Sequence, residues 1–148
     1  MMLSIAREIR GLVDEITALL EGLTTEDISA KESPESWSKK EILGHLIDSA
    51  CNNHQRFVRA ACHAANAFPA YNQRDWIRVQ RYQESDWGNL IILWSAYNRH
   101  LSDLIERIPD DALSSPCNIG KDDPVTLEFL AQDYLRHMRH HLNQILGR

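Results

Sequence analysis

Long apolar runs are missing from this sequence of 148 residues, although 43% of its residues are hydrophobic. A membrane-spanning helix needs roughly 18–20 consecutive apolar residues, so we expect no membrane partner. Residues 1–8 also lack the basic and then apolar layout of a signal peptide. These absences predict a cytoplasmic protein.

Cysteine is scarce as well. The three cysteines, Cys51, Cys62 and Cys117, are odd in number and form no CxxC pair, which argues against a disulfide framework or a thiolate zinc site. We therefore expect reduced thiols, with Cys51 buried and inert.

Basic residues are outnumbered, since 16 of them stand against 21 acidic residues for a net charge of −5. Nucleic acids and anionic membrane surfaces select basic proteins, so neither is an expected partner. A small-molecule substrate fits this charge better.

Proline and glycine are too few to interrupt four long segments with helical periodicity. The first helix is predicted over residues 3–23, and residues 24–27 are predicted to end it. The second follows the capping-box pattern from Ser38 to Glu41 and is predicted to run to about Ala65. Within it, Gly44 either lets another group approach closely or simply lowers helix propensity.

The second half of the chain contains the other two long helices. One is predicted to begin at a Ser85 or Asp86 cap and to stop before Pro109, and the last covers residues 126–146. After the break at Phe68-Pro69, residues 70–84 are predicted to form a long connection with a short helix near 75–80. Residues 113–123 are predicted to be a loop, and no strand pattern occurs anywhere. The sequence thus predicts one all-α domain, residues 1–148, built as a four-helix bundle with a long irregular connection between helices 2 and 3.

Histidine is abundant, with seven residues. His137 and His141 are four residues apart, so a helix brings both imidazoles to one face, where they can share a metal ion if a third ligand is supplied. His45, His54, His63 and His100 are the candidates for that ligand. His45 is favoured because Ser49, Asn52 and Arg56 continue its helix face as a polar strip, where a structural bundle helix would be apolar.

Three motifs together resemble the DinB/YfiT-like superfamily across the whole chain. They are the segment from Trp37 to Leu46 (W-S-x-x-E-I-L-G-H-L), the segment Trp94-x-x-Tyr97-Asn98, and the final His137-x-x-x-His141-x-x-Gln144-Ile145. The resemblance implies a four-helix bundle that holds one divalent metal, nickel or zinc, through His45, His137 and His141. It also implies that a homodimer can form. Some members of the family are thiol S-transferases and others are assigned as metal-dependent hydrolases.

A metal held by three neutral imidazoles keeps its charge and an open coordination position, which is the layout of a catalytic site. A bound thiol would become a nucleophilic thiolate, and a bound water would become more acidic. The residue after His137 is Met138, so the glutamate base of an HExxH zinc protease is missing. This favours a transferase that activates a low-molecular-weight thiol co-substrate. The alternatives are a hydrolase that uses a metal-bound water and a non-enzymatic metal-binding protein.

Five further side chains are candidates for contacting the substrate or orienting the metal ligands: Asp48, Ser49, Asn52, Arg56 and Gln144. Gln144 lies one turn after His141 and is expected to orient that ring. Arg56 is expected either to pair with an anionic substrate or to form an ordinary salt bridge. His140 points away from His141 and is expected at the surface.

Overall fold

The computed structural model describes residues 1–64 and 66–148. Its helices confirm the predicted all-α fold, with four long helices forming a bundle. In chain order the α-helices are α1 (Met2–Glu21), α2 (Thr25–Ser29), α3 (Lys39–Ala61), α4 (Gln73–Gln80), α5 (Trp87–Glu106) and α6 (Leu127–Leu146). Short 3₁₀ turns lie at Tyr82–Glu84 and Asp110–Ala112.

Side-chain caps begin three of the long helices where the sequence predicts them. Ser38 Oγ accepts a hydrogen bond from the backbone N–H of Glu41 at 3.2 Å, and the Glu41 carboxylate accepts one from the Ser38 N–H at 3.1 Å. This is the predicted capping box. Asp86 and Thr126 cap α5 and α6 in the same way. The last helical residue of α3 is Ala61, and its predicted end at Ala65 lies outside the described residues.

Two short elements correct the sequence predictions. Residues 24–27 do not simply end the first helix, because the Thr24 side chain caps the short helix α2 by accepting from Asp27 N–H. The predicted loop over residues 113–123 contains a strand, β1 (Pro116–Cys117), which pairs antiparallel with β2 (Val125–Thr126). Two-residue strands are too short to produce a recognisable alternation in sequence.

The packing order of the bundle differs from the order along the chain. Helix α1 packs against α5 and α6, and α3 packs against the same two helices. The consecutive long helices α1 and α3 therefore occupy opposite corners of the bundle. Fully buried side chains from all four helices, among them Ile9, Phe57, Trp94 and Met138, fill the space between them.

The long connection after α3 folds back onto that helix. Tyr82 is buried and its ring lies directly over Gly44, where a side chain would overlap it. Its hydroxyl donates a 2.6 Å hydrogen bond to Asp48 Oδ1. Gly44 therefore admits the close approach of an aromatic ring. Among the described helices, none is both long enough and apolar enough to cross a membrane.

Candidate metal centre

The bundle brings the three predicted histidines together where α3 packs against α6. His45 is 1% exposed on α3, and its Nε2 lies 3.0 Å from Nε2 of His137 on α6. The His141 ring is one turn further along α6, with its centroid 4.8 Å from that of His45 and 4.6 Å from that of His137. One ring nitrogen of each residue lies within 4.8 Å of the other two.

These three imidazoles are neutral at pH 7. Burial, reinforced by the neighbouring imidazoles, lowers the pKa of His45 to about 3. The same two causes lower the pKa of His137 to about 4, although the Asp133 carboxylate opposes the shift. Burial also lowers the pKa of His141. Neutral imidazole is the form that binds a metal ion, so the donor atoms are available without loss of a proton.

The distances and the hydrogen bonds both fit a metal site. Metal–nitrogen bonds of about 2.0–2.1 Å place two ligands of a tetrahedral ion about 3.3 Å apart, close to the His45–His137 separation. Buried structural histidines normally have hydrogen-bond partners. In residues 1–64 and 66–148, however, His45 Nδ1 is buried without one, and its Nε2 faces only another imidazole.

Two neighbouring side chains hold the histidine rings in place. Gln144 Oε1 lies 2.9 Å from His141 Nδ1, as the sequence predicts, so it can accept a hydrogen bond from Nδ1–H and leave the Nε2 lone pair free to bind a metal. The half-buried Trp37 lies against His45, with ring centroids 5.0 Å apart. The Arg74 guanidinium lies 5.8 Å from the Trp37 ring centroid.

A cavity of about 140 Å³ opens beside His137. Two of the predicted candidates, Ser49 and Arg56, line this cavity. Three residues that belong to other parts of the chain also reach it, namely Tyr71 and Gln73 from the long connection and Asp133 from α6. Asn53, Leu130 and Tyr134 complete its lining. The histidine cluster thus borders a small, mostly polar space.

The remaining predicted candidates lie apart from this space. Asp48 is buried and directs Oδ1 to Tyr82 and to Gln80 Nε2, so it ties the long connection to α3. Burial raises the pKa of its carboxyl group. The Asn52 amide donates to the Asp48 backbone carbonyl and borders a separate groove beside Phe68. Neither residue belongs to the histidine cluster.

The family profile of the DinB superfamily matches residues 9–145. The chain belongs to the DinB superfamily. This DinB-superfamily chain is 22% identical over 139 residues to proteins of Bacillus cereus strains B4264 and ATCC 10987. The match covers 94% of this chain and 80% of each relative, and both relatives are provisionally named metal-dependent hydrolases.

A solved structure has the same fold. YfiT from Bacillus subtilis, likewise provisionally described as a metal-dependent hydrolase with an unusual four-helix bundle topology, matches with a TM-score of 0.84 at 18% identity. The match covers 97% of this chain and 83% of YfiT. The diagonal placement of α1 and α3 is an unusual feature of the bundle seen here, since helices consecutive in a simple up-and-down bundle are neighbours.

Two other histidines of this DinB-superfamily chain, His54 and His100, lie away from the cluster. His54 contacts the Tyr97 hydroxyl at 2.8 Å and the His100 ring on the α3–α5 side of the bundle. His140 is exposed, as predicted. Cys51 is exposed too, which corrects the expectation of a buried thiol, because its position on α3 lies outside the core-facing stripe.

Sequence reasoning missed Gln73 as a cavity residue, and it did not place Trp37 against a metal ligand. Gln73 is the first residue of the short helix α4, which follows an irregular segment whose direction no periodic pattern specifies. Asn53, another cavity residue, lies four residues after Ser49 on α3, as the i, i+4 rule indicates.

Proposed function

We propose that this chain is a metal-dependent hydrolase of small molecules, in which His45, His137 and His141 hold one divalent transition metal. The observation that carries the proposal is the meeting of three neutral imidazoles at one point between α3 and α6, where the described residues supply no hydrogen-bond partner to His45 Nδ1. Imidazole donors suit both zinc and nickel, and we propose these two as the resident metals.

Each residue of the site has a role that follows from its position. When bound, the metal supplies Lewis acidity that polarises a substrate oxygen and makes a coordinated water more acidic. Gln144 keeps the Nδ1 proton on His141, so that Nε2 faces the site. Trp37 packs on His45 and restricts solvent on that side. Asp133, on the cavity wall beside His137, pairs through Oδ1 with the exposed Arg136 and is placed to accept a proton from a water held in the cavity.

The position of Asp133 supports hydrolysis over thiol transfer. The sequence favoured thiol activation because no carboxylate was clearly placed to act as a base. Asp133 lines the same cavity as His137, and its charge acts on the His137 ring. The names of the relatives point in the same direction. We therefore place hydrolysis ahead of transfer to a low-molecular-weight thiol.

Metal analysis and turnover together test this proposal. After purification in zinc or nickel, we expect about one ion per wild-type chain and almost none in His137→Ala. His140→Ala is the matched control, because this exposed histidine lies on the same helix with its ring 4.9 Å from that of His141. It should retain the metal.

The metal-loaded protein is then assayed without thiol against small esters, amides and phosphate esters. Turnover that disappears in His137→Ala and persists in His140→Ala supports the hydrolase. Turnover that requires an added thiol would replace it with thiol transfer. A wild-type chain that cannot be loaded with either metal would refute the proposed centre.

A further inference from the structure

Arg56 is a half-buried cation without an anionic partner. No carboxylate lies within salt-bridge distance of its guanidinium, and no side chain or carbonyl accepts a hydrogen bond from it, in the part of the chain that the structure describes. Two titratable side chains near it, Tyr71 and Cys117, are neutral because burial raises the pKa of each. Partial burial of an unpaired charge is unfavourable, so such a residue usually has a ligand or a partner.

The ordinary explanation, a salt bridge to an acidic neighbour, does not hold. Asp48 lies two turns earlier on the same helix, but its Oδ1 accepts from Tyr82 and Gln80. Its buried Oδ2 contacts no hydrogen-bond donor among the described residues, Arg56 included. Asp133 lines the same cavity as Arg56, but it pairs with Arg136 on its own helix. The described acidic residues around the cavity therefore leave the charge of Arg56 unmatched.

The position of Arg56 connects this charge to the metal centre. Its side chain and His137 line one cavity of about 140 Å³, together with the neutral hydrogen-bonding groups of Ser49, Asn53, Tyr71 and Gln73. A metal ion at the histidines would add further positive charge. The space between them thus favours a small molecule that carries a negative charge.

We propose that Arg56 binds a carboxylate of the substrate, so that the substrates are small monocarboxylates whose reacting group lies at the histidine cluster. The planar guanidinium matches a carboxylate in a two-point contact, and its single unmatched charge balances a single negative charge. This inference rests on the metal centre proposed above and adds the class of molecule that it accepts.

Two thiol probes of equal shape test the inference without any knowledge of the natural substrate. The full-length chain is loaded with cobalt, whose visible absorption changes when a thiolate binds. 3-Mercaptopropionate and its neutral amide are then titrated separately. We expect the carboxylate probe to bind about tenfold or more tightly than the amide, as for one charge-assisted contact.

Variants assign that preference to Arg56. In Arg56→Gln the ratio of the two affinities should fall to about one. In Arg59→Gln it should remain at the wild-type value, because Arg59 is exposed and bonds to Gln55 on the outside of the same helix. Arg56→Lys keeps the positive charge and should keep part of the preference for the carboxylate probe. Its affinity ratio tests the inference if Arg56→Gln folds poorly.

The outcomes separate the inference from the proposed function. Cobalt binding with equal affinity for both probes, or a wild-type ratio in Arg56→Gln, would overturn the role of Arg56 and leave the metal centre standing. Failure of the wild-type chain to bind cobalt would overturn the centre and this inference together.

Discussion

Because Gly44 contacts Tyr82, we predict that Gly44→Ala lowers the free energy of unfolding, whereas helix propensity alone would raise it. Gly44 lies inside α3, one residue before His45. A Cβ atom added there would lie 2.2 Å from Tyr82 Cδ2 and 2.3 Å from Cγ, well inside the 3.4 Å at which ordinary contact begins. In Gly44→Ala, the Tyr82 ring must therefore move by about 1 Å or more, unless α3 itself moves.

Three effects determine the size of the change. Alanine in a helix interior is favoured over glycine by about 1 kcal/mol. Overpacking of a buried contact costs about 1–3 kcal/mol. Displacement of the buried Tyr82 ring also strains its 2.6 Å hydrogen bond to Asp48, and loss of that bond costs about 1 kcal/mol or more. We expect a net loss of about 1–3 kcal/mol in the free energy of unfolding.

Gly11→Ala is the matched control, because Gly11 lies inside α1 and an added Cβ atom would meet nothing within 4 Å. It should stabilise the chain by about 0.5–1 kcal/mol. Urea unfolding of the metal-free proteins, followed by far-UV circular dichroism, measures both variants. If Gly44→Ala stabilises the protein as much as Gly11→Ala does, the packing of Tyr82 on α3 is refuted.

Two further predictions concern the histidine cluster. The metal-free protein should lose stability as pH falls from 6.5 towards 4, because the unfolded chain then binds protons that buried His45 and His137 do not. Each pH unit well below 6.5 contributes about 1.4 kcal/mol and the first unit contributes less, so His45 alone accounts for about 3 kcal/mol over this range. Unfolding midpoints that do not change with pH would contradict this. Gln144→Leu should weaken zinc binding about 10–100-fold in a chelator competition, because His141 loses its Nδ1 partner. Asn143→Ala, an exposed neighbour, should bind as wild type does.

The fold was largely predictable because its signals are local. Periodic apolar residues define each long helix, and the caps at Ser38, Asp86 and Thr126 involve residues three positions apart. The pair His137 and His141 follows from helical spacing alone. Even the accessory contact of Gln144 needs only the distance of one turn along α6. Such features depend on the conformation of one helix and on little else.

The cavity was less predictable because it depends on which elements meet. Trp37 comes from the segment before α3, Tyr71 and Gln73 from the long connection, and Asp133 from α6. The sequence also could not show that the charge of Arg56 is unmatched. That conclusion depends on where Asp48 and Asp133 direct their oxygens, to Tyr82 and to Arg136.

The buried run of residues 42–50 argues that α3 is built for a ligand rather than for maximal stability. Three of its members, His45, Asp48 and Ser49, are polar, yet all nine are buried. Ser49 and Asp48 Oδ1 have hydrogen-bond partners on α3 itself and on the long connection, although Asp48 Oδ2 has none among the described residues. In the same part of the chain, neither ring nitrogen of His45 has a partner other than a neutral imidazole. A well-packed apolar residue at that position would avoid the loss of hydration that an unpartnered ring suffers. A metal ion shared with His137 and His141, as proposed above, would remove this disadvantage, because it would bind the folded chain and not the unfolded one and so stabilise the bundle by mass action.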